Sequence, residues 1–438
     1  MLRNCSPLLL LLLPCLLAGQ DKSDLRLILD RLERLERENH DLAAEVHALR
    51  REMAESRAAT PDAPPIEEKV AVAEHRIDDL AQSKVEASQR LPITLTGMVL
   101  FNAYANGKNS AGQQYPVTAA RSPGMAGEGA TLRQSLIGMK FQGPEIFGGG
   151  RLSGTIFLDL FANGDIPHLR TATMEADWKT RNLMIGQDKP IIAPREPTSL
   201  ARVGLSPLTG AGNLWFWDPQ IRFEQQFALG ESSGVRAQVG VFQTSEPTSS
   251  VPATLANTLS QQRPGLEGRV EVWHDFGAGR KIEIAPGFHT SRTHVAGTSV
   301  PSDLFSLDWM IRPFSKLEFT GAFFQGTNAA GLGGLRQGFT VFSPTRVVAI
   351  GAIGGWGQFT VAATRRLSFN LMGGEESNRA ADLRAGAVNR NLSYAGNAMY
   401  RLGSNLLIGL EASQVRTTYV GLGTRLNNHY DLGFAYLF

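Results

Sequence analysis

Cysteine is almost absent from this 438-residue chain: Cys5 and Cys15 are the only two, and both fall within the first nineteen residues. Those residues read as an export signal. Arg3 supplies the positive start, "LLLLLLPCLL" (8–17) the short apolar core, and "AGQ" a small-residue context for cleavage. Leu12-Leu13-Pro14 before Cys15 matches a lipid-attachment box poorly, so lipidation is not expected. With residues 1–19 removed, disulfides, thiolate metal sites and thiol nucleophiles are all excluded. Long apolar runs are missing too. None of the ~18 residues that a membrane helix needs occurs after the signal. Charge is sparse at 19%, net charge is only +2, and no basic tract interleaves with aromatics, which argues against nucleic acid. Catalytic signatures are lacking as well: there is no G-x-S-x-G elbow, phosphate loop or nucleotide fingerprint. The eight histidines are scattered without metal-ligand spacing, so neither a metal nor a cofactor is expected.

What is present falls into three zones. In residues 20–59, Leu25, Ile28, Leu32, Leu35, Asn39, Leu42, Val46, Leu49 and Met53 alternate spacings of three and four, a heptad seam with Asn39 at a core position. Arg31, Leu32, Leu35 and Glu36 have the spacing of short parallel trimeric coiled coils. Residues 60–90 hold a break, "TPDAPP", and a second, weaker heptad set. From residue 91 to Phe438 the period changes to two and stays there.

That last zone contains sixteen runs of strand character. In "RLSGTIFLDLF" (151–161), Leu152, Ile156, Leu158 and Leu160 share one face, and Arg151, Ser153, Thr155 and Asp159 the other. "QIRFEQQFAL" (220–229) sets Ile221, Phe223, Phe227 and Leu229 against Arg222, Glu224 and Gln226. Seven connections are short, such as "KTRN", "FGAG" and "RLGSN". Seven of the remaining eight are longer, near 106–131, 188–218, 245–264, 290–302, 326–352, 374–388 and 416–425, and "NGDIPH" (163–168) is shorter. Even strand number, apolar-out and polar-in alternation and segregated loop lengths predict an all-β transmembrane barrel of about 16 antiparallel strands behind an α-helical coiled coil. Hydrocarbon leaves no other way to pair every backbone group of a sheet. The chain ends "LNNHYDLGFAYLF", with Leu432, Phe434, Tyr436 and Phe438 on one face. The pair Tyr436 and Phe438 looks like the terminal signal that Gram-negative outer-membrane proteins present to their barrel-assembly machinery.

"GQDKPIIAPREPTSLARVGLSPLTGAGNLWFWDPQIRFEQQF" (186–227) resembles the DcaP-like porins, relatives of the phosphate-selective porin group. The Gly-Gln strand end, the Pro-rich third loop and the "PQIRFE" return strand carry the resemblance. "GGLRQG" (333–338) and "GGWGQF" (354–359) add to it. It implies a homotrimeric outer-membrane channel for passive diffusion of small hydrophilic, usually anionic, solutes, with the N-terminal segment in the periplasm. Asp218 stands where the family pattern suggests a basic or polar residue, which weakens the expected anion preference.

Pore selectivity is set by charged wall and loop residues at a constriction. Loop 188–218, with Pro190, Pro194, Pro197 and Pro207, is long enough to enter the lumen. Arg195 and Arg202 on it are expected to meet Arg222 and Arg269 across a narrow opening, with Arg236 nearby and Glu224 and Glu267 as neutralising partners. Cross-strand ion pairing of the wall is the plainer reading for any single charge. Two other functions compete: a barrel-anchored tether to periplasmic partners, and an outer-membrane lipid hydrolase.

Overall fold

The computed structural model describes residues 93–438 apart from 162–166, 245, 247–250, 260–262 and 336. The expected signal segment and the coiled-coil core of Leu32, Leu35 and Asn39 lie outside the described residues. Nineteen strands follow in order: β1 (Ile93–Asn106), β2 (Gly127–Thr131), β3 (Leu136–Ile146), β4 (Gly150–Asp159), β5 (His168–Trp178), β6 (Arg181–Asp188) and β7 (Asp218–Ala228). Then come β8 (Ser233–Thr244), β9 (Arg263–Gly277), β10 (Arg280–Val295), β11 (Thr298–Phe314), β12 (Leu317–Thr327), β13 (Phe339–Ser343) and β14 (Arg346–Ala349). The last five are β15 (Gly351–Ala362), β16 (Leu367–Asn378), β17 (Val388–Arg401), β18 (Leu406–Tyr419) and β19 (Gly423–Leu437).

All but β13 and β14 form one antiparallel sheet, in which each strand pairs with the next and β19 returns to β1. β2 and β3 share one place in the ring: β2 pairs with the last residues of β1, Asn102–Asn106, and β3 with the first, Ile93–Met98. The barrel is therefore closed with sixteen positions, as the sequence pattern predicts, and no sheet edge is left open. The seam is completed by the last residue, because Phe438 N–H donates to Gly97 O at 3.2 Å and Gly97 N–H to Phe438 O at 3.0 Å.

The outer face is apolar. Val99, Phe101, Ile221, Phe223, Val239, Phe305, Leu371, Leu410 and Phe434 are among its exposed side chains. A water-facing sheet has no reason to expose so many, whereas lipid covers them without cost. Exposed Phe147, Phe276, Phe314, Tyr436 and Phe438 ring the end that carries the short turns. At the other end several expectations are corrected, and the connection expected near 416–425 is a turn of three residues, 420–422, between β18 and β19. The region 290–302 is not a loop, since β10 and β11 run on to a two-residue turn at Ala296 and Gly297, both with positive φ (50° and 77°). That backbone matches the twist of a tall hairpin. The loops at 106–131 and 326–352 also carry strand, namely β2 and the β13–β14 hairpin.

Candidate functional site

The long connection between β6 and β7 folds into the lumen. It leaves the wall at Lys189, whose ammonium is paired with Glu196 across a Pro-rich turn. Ile191 N–H donates to Glu267 Oε2 of β9 at 2.6 Å. Ile192, Ala193 and Leu214 then pack on Phe242, Leu304 and Phe324, inward apolar residues that would otherwise face water. Further along, polar side chains of the opposite wall capture the loop backbone. Gln358 of β15 accepts from Thr198 N–H at 2.7 Å, and Asn397 of β17 donates to Thr198 O at 2.9 Å. Asn102 of β1 donates to Leu200 O at 2.9 Å, and Glu411 of β18 accepts from Ser199 Oγ at 2.6 Å. Gln134 holds Ala201 O and the N–H groups of Val203 and Gly204. The loop thus crosses from the β9–β11 wall to the β17–β18–β1 wall. Its return is pressed flat on the sheet: Gly212 has φ +92°, and a Cβ there would lie 2.3 Å from Gly355 O of β15. Only glycine fits such a backbone contact.

The predicted arginines divide into groups. Arg195 reaches β11, β10 and β9 together: Nε lies 2.7 Å from Asp308 Oδ1, and Nη2 lies 2.6 Å from Glu283 and 3.5 Å from Glu271. Arg269 grips the same Asp308, through Nε at 2.7 Å and Nη2 at 2.8 Å, and Glu271 at 2.6 Å. Arg236 joins through Glu271 at 3.5 Å and Glu224 at 3.3 Å, and Lys281 binds Glu283 at 2.5 Å. Four cations and four carboxylates therefore form one balanced network, in which Asp308 is wholly buried. Forked guanidinium contacts of this kind fix geometry as well as charge.

Arg222 and Arg202 stand apart from it. Arg222 pairs with Asp188 at 3.3 Å, beside the foot of the loop. Arg202 sits at the far wall, where its Nη2 donates to Pro116 O at 2.9 Å. The single ring of arginines expected from parity is corrected to one cluster around Asp308 with two outlying members. Glu267, expected to neutralise arginine, instead accepts from Ile191 N–H and lies 3.0 Å from His289 Nδ1.

Sequence reasoning missed the residues that catch the loop: Asn102, Gln134, Gln358, Asn397 and Glu411. A signal was available. Asn is disfavoured in strands, yet Asn102, Asn370, Asn391 and Asn397 sit at inward positions of long ones.

No family model matches the chain, and no curated protein does. Solved structures do. The chain is similar to the outer membrane channel DcaP of Acinetobacter baumannii, with a TM-score of 0.67 at 15% identity, over 80% of this chain and 97% of that one. It is also similar to the anion-selective porin from Comamonas acidovorans, with a TM-score of 0.53 at 12% identity, over 80% of this chain and all of the other. At such identities the likeness is one of fold.

Proposed function

We propose that the protein is an outer-membrane porin, a water-filled channel through which small hydrophilic solutes diffuse passively, with a modest preference for anions. The observation that carries this reading is the loop itself. A closed barrel with an apolar exterior has its charged interior narrowed by residues 189–217, which lie bolted to opposite walls. Arg195, Arg202, Arg222, Arg236 and Arg269 are the groups we assign to this constriction. All of them except Arg202 are paired with carboxylates, which is the reason for expecting weak selection. The two neighbours of similar fold are a channel and an anion-selective porin, which favours the same assignment. We further assign the protein to the outer membrane of a Gram-negative bacterium, as a homotrimer with its N-terminal segment in the periplasm. Tyr436 and Phe438 are assigned as the mark read by the barrel-assembly machinery.

A hydrolase was weighed on a specific contact. Glu267, His289 and Ser291 stand in acid–imidazole–hydroxyl order, at 3.0 and 3.2 Å. All three are buried, the second oxygen of Glu267 is taken by Ile191 N–H, and Phe242 lies against the imidazole. A group sealed in this way anchors the loop and meets no substrate. The test is conductance of the purified full chain in planar bilayers, with reversal potential measured across a KCl gradient. Stable ohmic steps with a small shift towards the chloride potential support the proposal. Absence of conductance overturns it.

A further inference from the structure

Above the inserted loop, at the end of the barrel that carries the long connections, four of them enclose a cavity of about 580 Å³. Its size lies within the range of small-molecule sites, roughly 300–1,000 Å³. The first long loop contributes Arg121, the inserted loop Trp215 and Phe216, the loop after β12 Leu335 and Gln337, and the loop after β16 Arg384. Arg121 and Arg384 are the only charged residues that line it among those described.

Both guanidiniums flank one turn. Arg121 Nη1 lies 3.5 Å from the place a Cβ would take on Gly386, two residues after Arg384. Neither is paired with a carboxylate within 4 Å among the described residues. Arg121 lies over the Tyr419 ring, and Arg384 donates to Val341 O and Phe342 O. Two acids of the same region are engaged elsewhere. Glu376 is buried behind the Gly333–Gly334 turn and accepts from Leu335 N–H at 2.8 Å, and Asp382 accepts from Gly351 N–H at 3.0 Å.

The floor is aromatic. Trp215 and Phe216 meet edge to face with centroids 4.9 Å apart. Trp215 N–H donates to Leu332 O at 2.9 Å, which docks the loop after β12 on the inserted loop. Gly333, with φ +98°, permits that contact, since a Cβ there would lie 2.9 Å from the indole. Gly333, Gly334 and Leu335 of the "GGLRQG" stretch therefore border this floor. The indole N–H of Trp215 has no acceptor among the described residues, although the side chain is buried.

We propose that this cup is a capture site for small monoanions that carry the charge on one end of a flat apolar body, such as an aromatic carboxylate. The carboxylate meets the arginine rim, while the ring lies over Trp215 and Phe216. Occupancy is brief, as transit requires, because a site that binds too well blocks its channel. The inference deepens the channel reading by naming a solute class and the side from which it is gathered.

The experiment adds benzoate, acetate or benzylammonium to the full chain in planar bilayers, and follows benzoate binding by tryptophan fluorescence in detergent. Benzoate is expected to interrupt the KCl current at about a tenth of the acetate concentration, because only its ring uses the floor, and benzylammonium has no effect. Arg121→Gln raises the half-blocking concentration of benzoate several-fold, and Trp215→Phe abolishes the benzoate-dependent fluorescence change. Equal block by acetate and benzoate overturns the proposal. So does block that survives Arg121→Gln combined with Arg384→Gln. A chain that binds benzoate but does not conduct refutes the channel reading and leaves this site standing. One that conducts without benzoate block or quenching refutes the site alone.

Discussion

Replacing Arg195 by alanine removes one cation from a network that is otherwise balanced: Arg195, Arg236, Arg269 and Lys281 against Glu224, Glu271, Glu283 and Asp308. Two effects follow, and they are separable. Removing one partner of a buried ion pair costs about 3–5 kcal/mol. Asp308 keeps Arg269 and Glu283 keeps Lys281, so the loss of loop anchoring falls to about 2 kcal/mol, close to a thirtyfold change in opening equilibrium. Hydrogen exchange of the loop amides around Ile191 and Ala193 reads that change directly. The second effect is electrostatic. A unit charge about 8 Å from a passing ion in water shifts its energy by about 0.5 kcal/mol, and by roughly half of that after screening at 0.1 M salt. Acting with opposite sign on K⁺ and Cl⁻, the change moves their permeability ratio about twofold towards K⁺. Arg195→Lys divides the two effects, because lysine keeps the charge and loses the fork. The lysine variant should hold the reversal potential of the parent and still exchange faster. If the alanine variant changes neither exchange nor reversal potential, Arg195 neither anchors the loop nor faces the conduction path. If lysine shifts the potential as far as alanine does, the charge argument is wrong.

Deleting Phe438 removes the residue whose backbone joins β19 to β1 at Gly97 and whose ring lies over that glycine. The deleted chain should be exported yet fail to show heat-modifiable migration on cold gels, and undiminished migration refutes the closure argument. Gly212→Ala forces a side chain into the Gly355 carbonyl at positive φ, a strain of at least about 1–3 kcal/mol, and should speed exchange at Ala211 while the barrel melts as before. Unaltered exchange there would mean that the loop does not lie flat on β15. A chain beginning at Leu91 should still run as a trimer on native detergent gels, since barrel walls bury far more area than four heptads; a monomer would assign trimer formation to residues 24–57.

The barrel was legible because its signal is local and repeated. Alternation in "QIRFEQQFAL" gives the side of the sheet for the residues of β7 from Gln220 on, and exposed Ile221, Phe223 and Phe227 fall on the outer face that parity assigns. The closing strand was legible for the same reason. What parity cannot supply is height, and this explains the hairpin of β10 and β11. Polar residues such as Thr290, Arg292 and Asp303 resemble loop composition, yet they continue both strands, with Arg292 and Asp303 paired at 2.7 Å on the outer face. An ion pair across two strands replaces the apolar pattern by which a strand is recognised.

The path of the inserted loop was illegible for a different reason. Its prolines announce stiffness, but its position is decided by contacts between residues far apart in the chain. Asn102 and Leu200 are 98 residues apart, and Arg195 and Asp308 are 113. The sequence reading left inward charges as cross-strand pairs of the wall or as a constriction, whereas several of them, together with inward Asn and Gln, are spent on the loop. Glu267 and Glu411 hold its backbone and a serine hydroxyl, and Asp308 and Glu283 hold Arg195. A lumen-facing charge therefore has two uses, and burial separates them. Arg269 and Asp308 are almost wholly enclosed and act by fixing Arg195, while Arg236, about a third exposed, remains open to a passing ion. Selectivity in such a wall is set by the few charges left in contact with water, and their number is smaller than parity alone suggests.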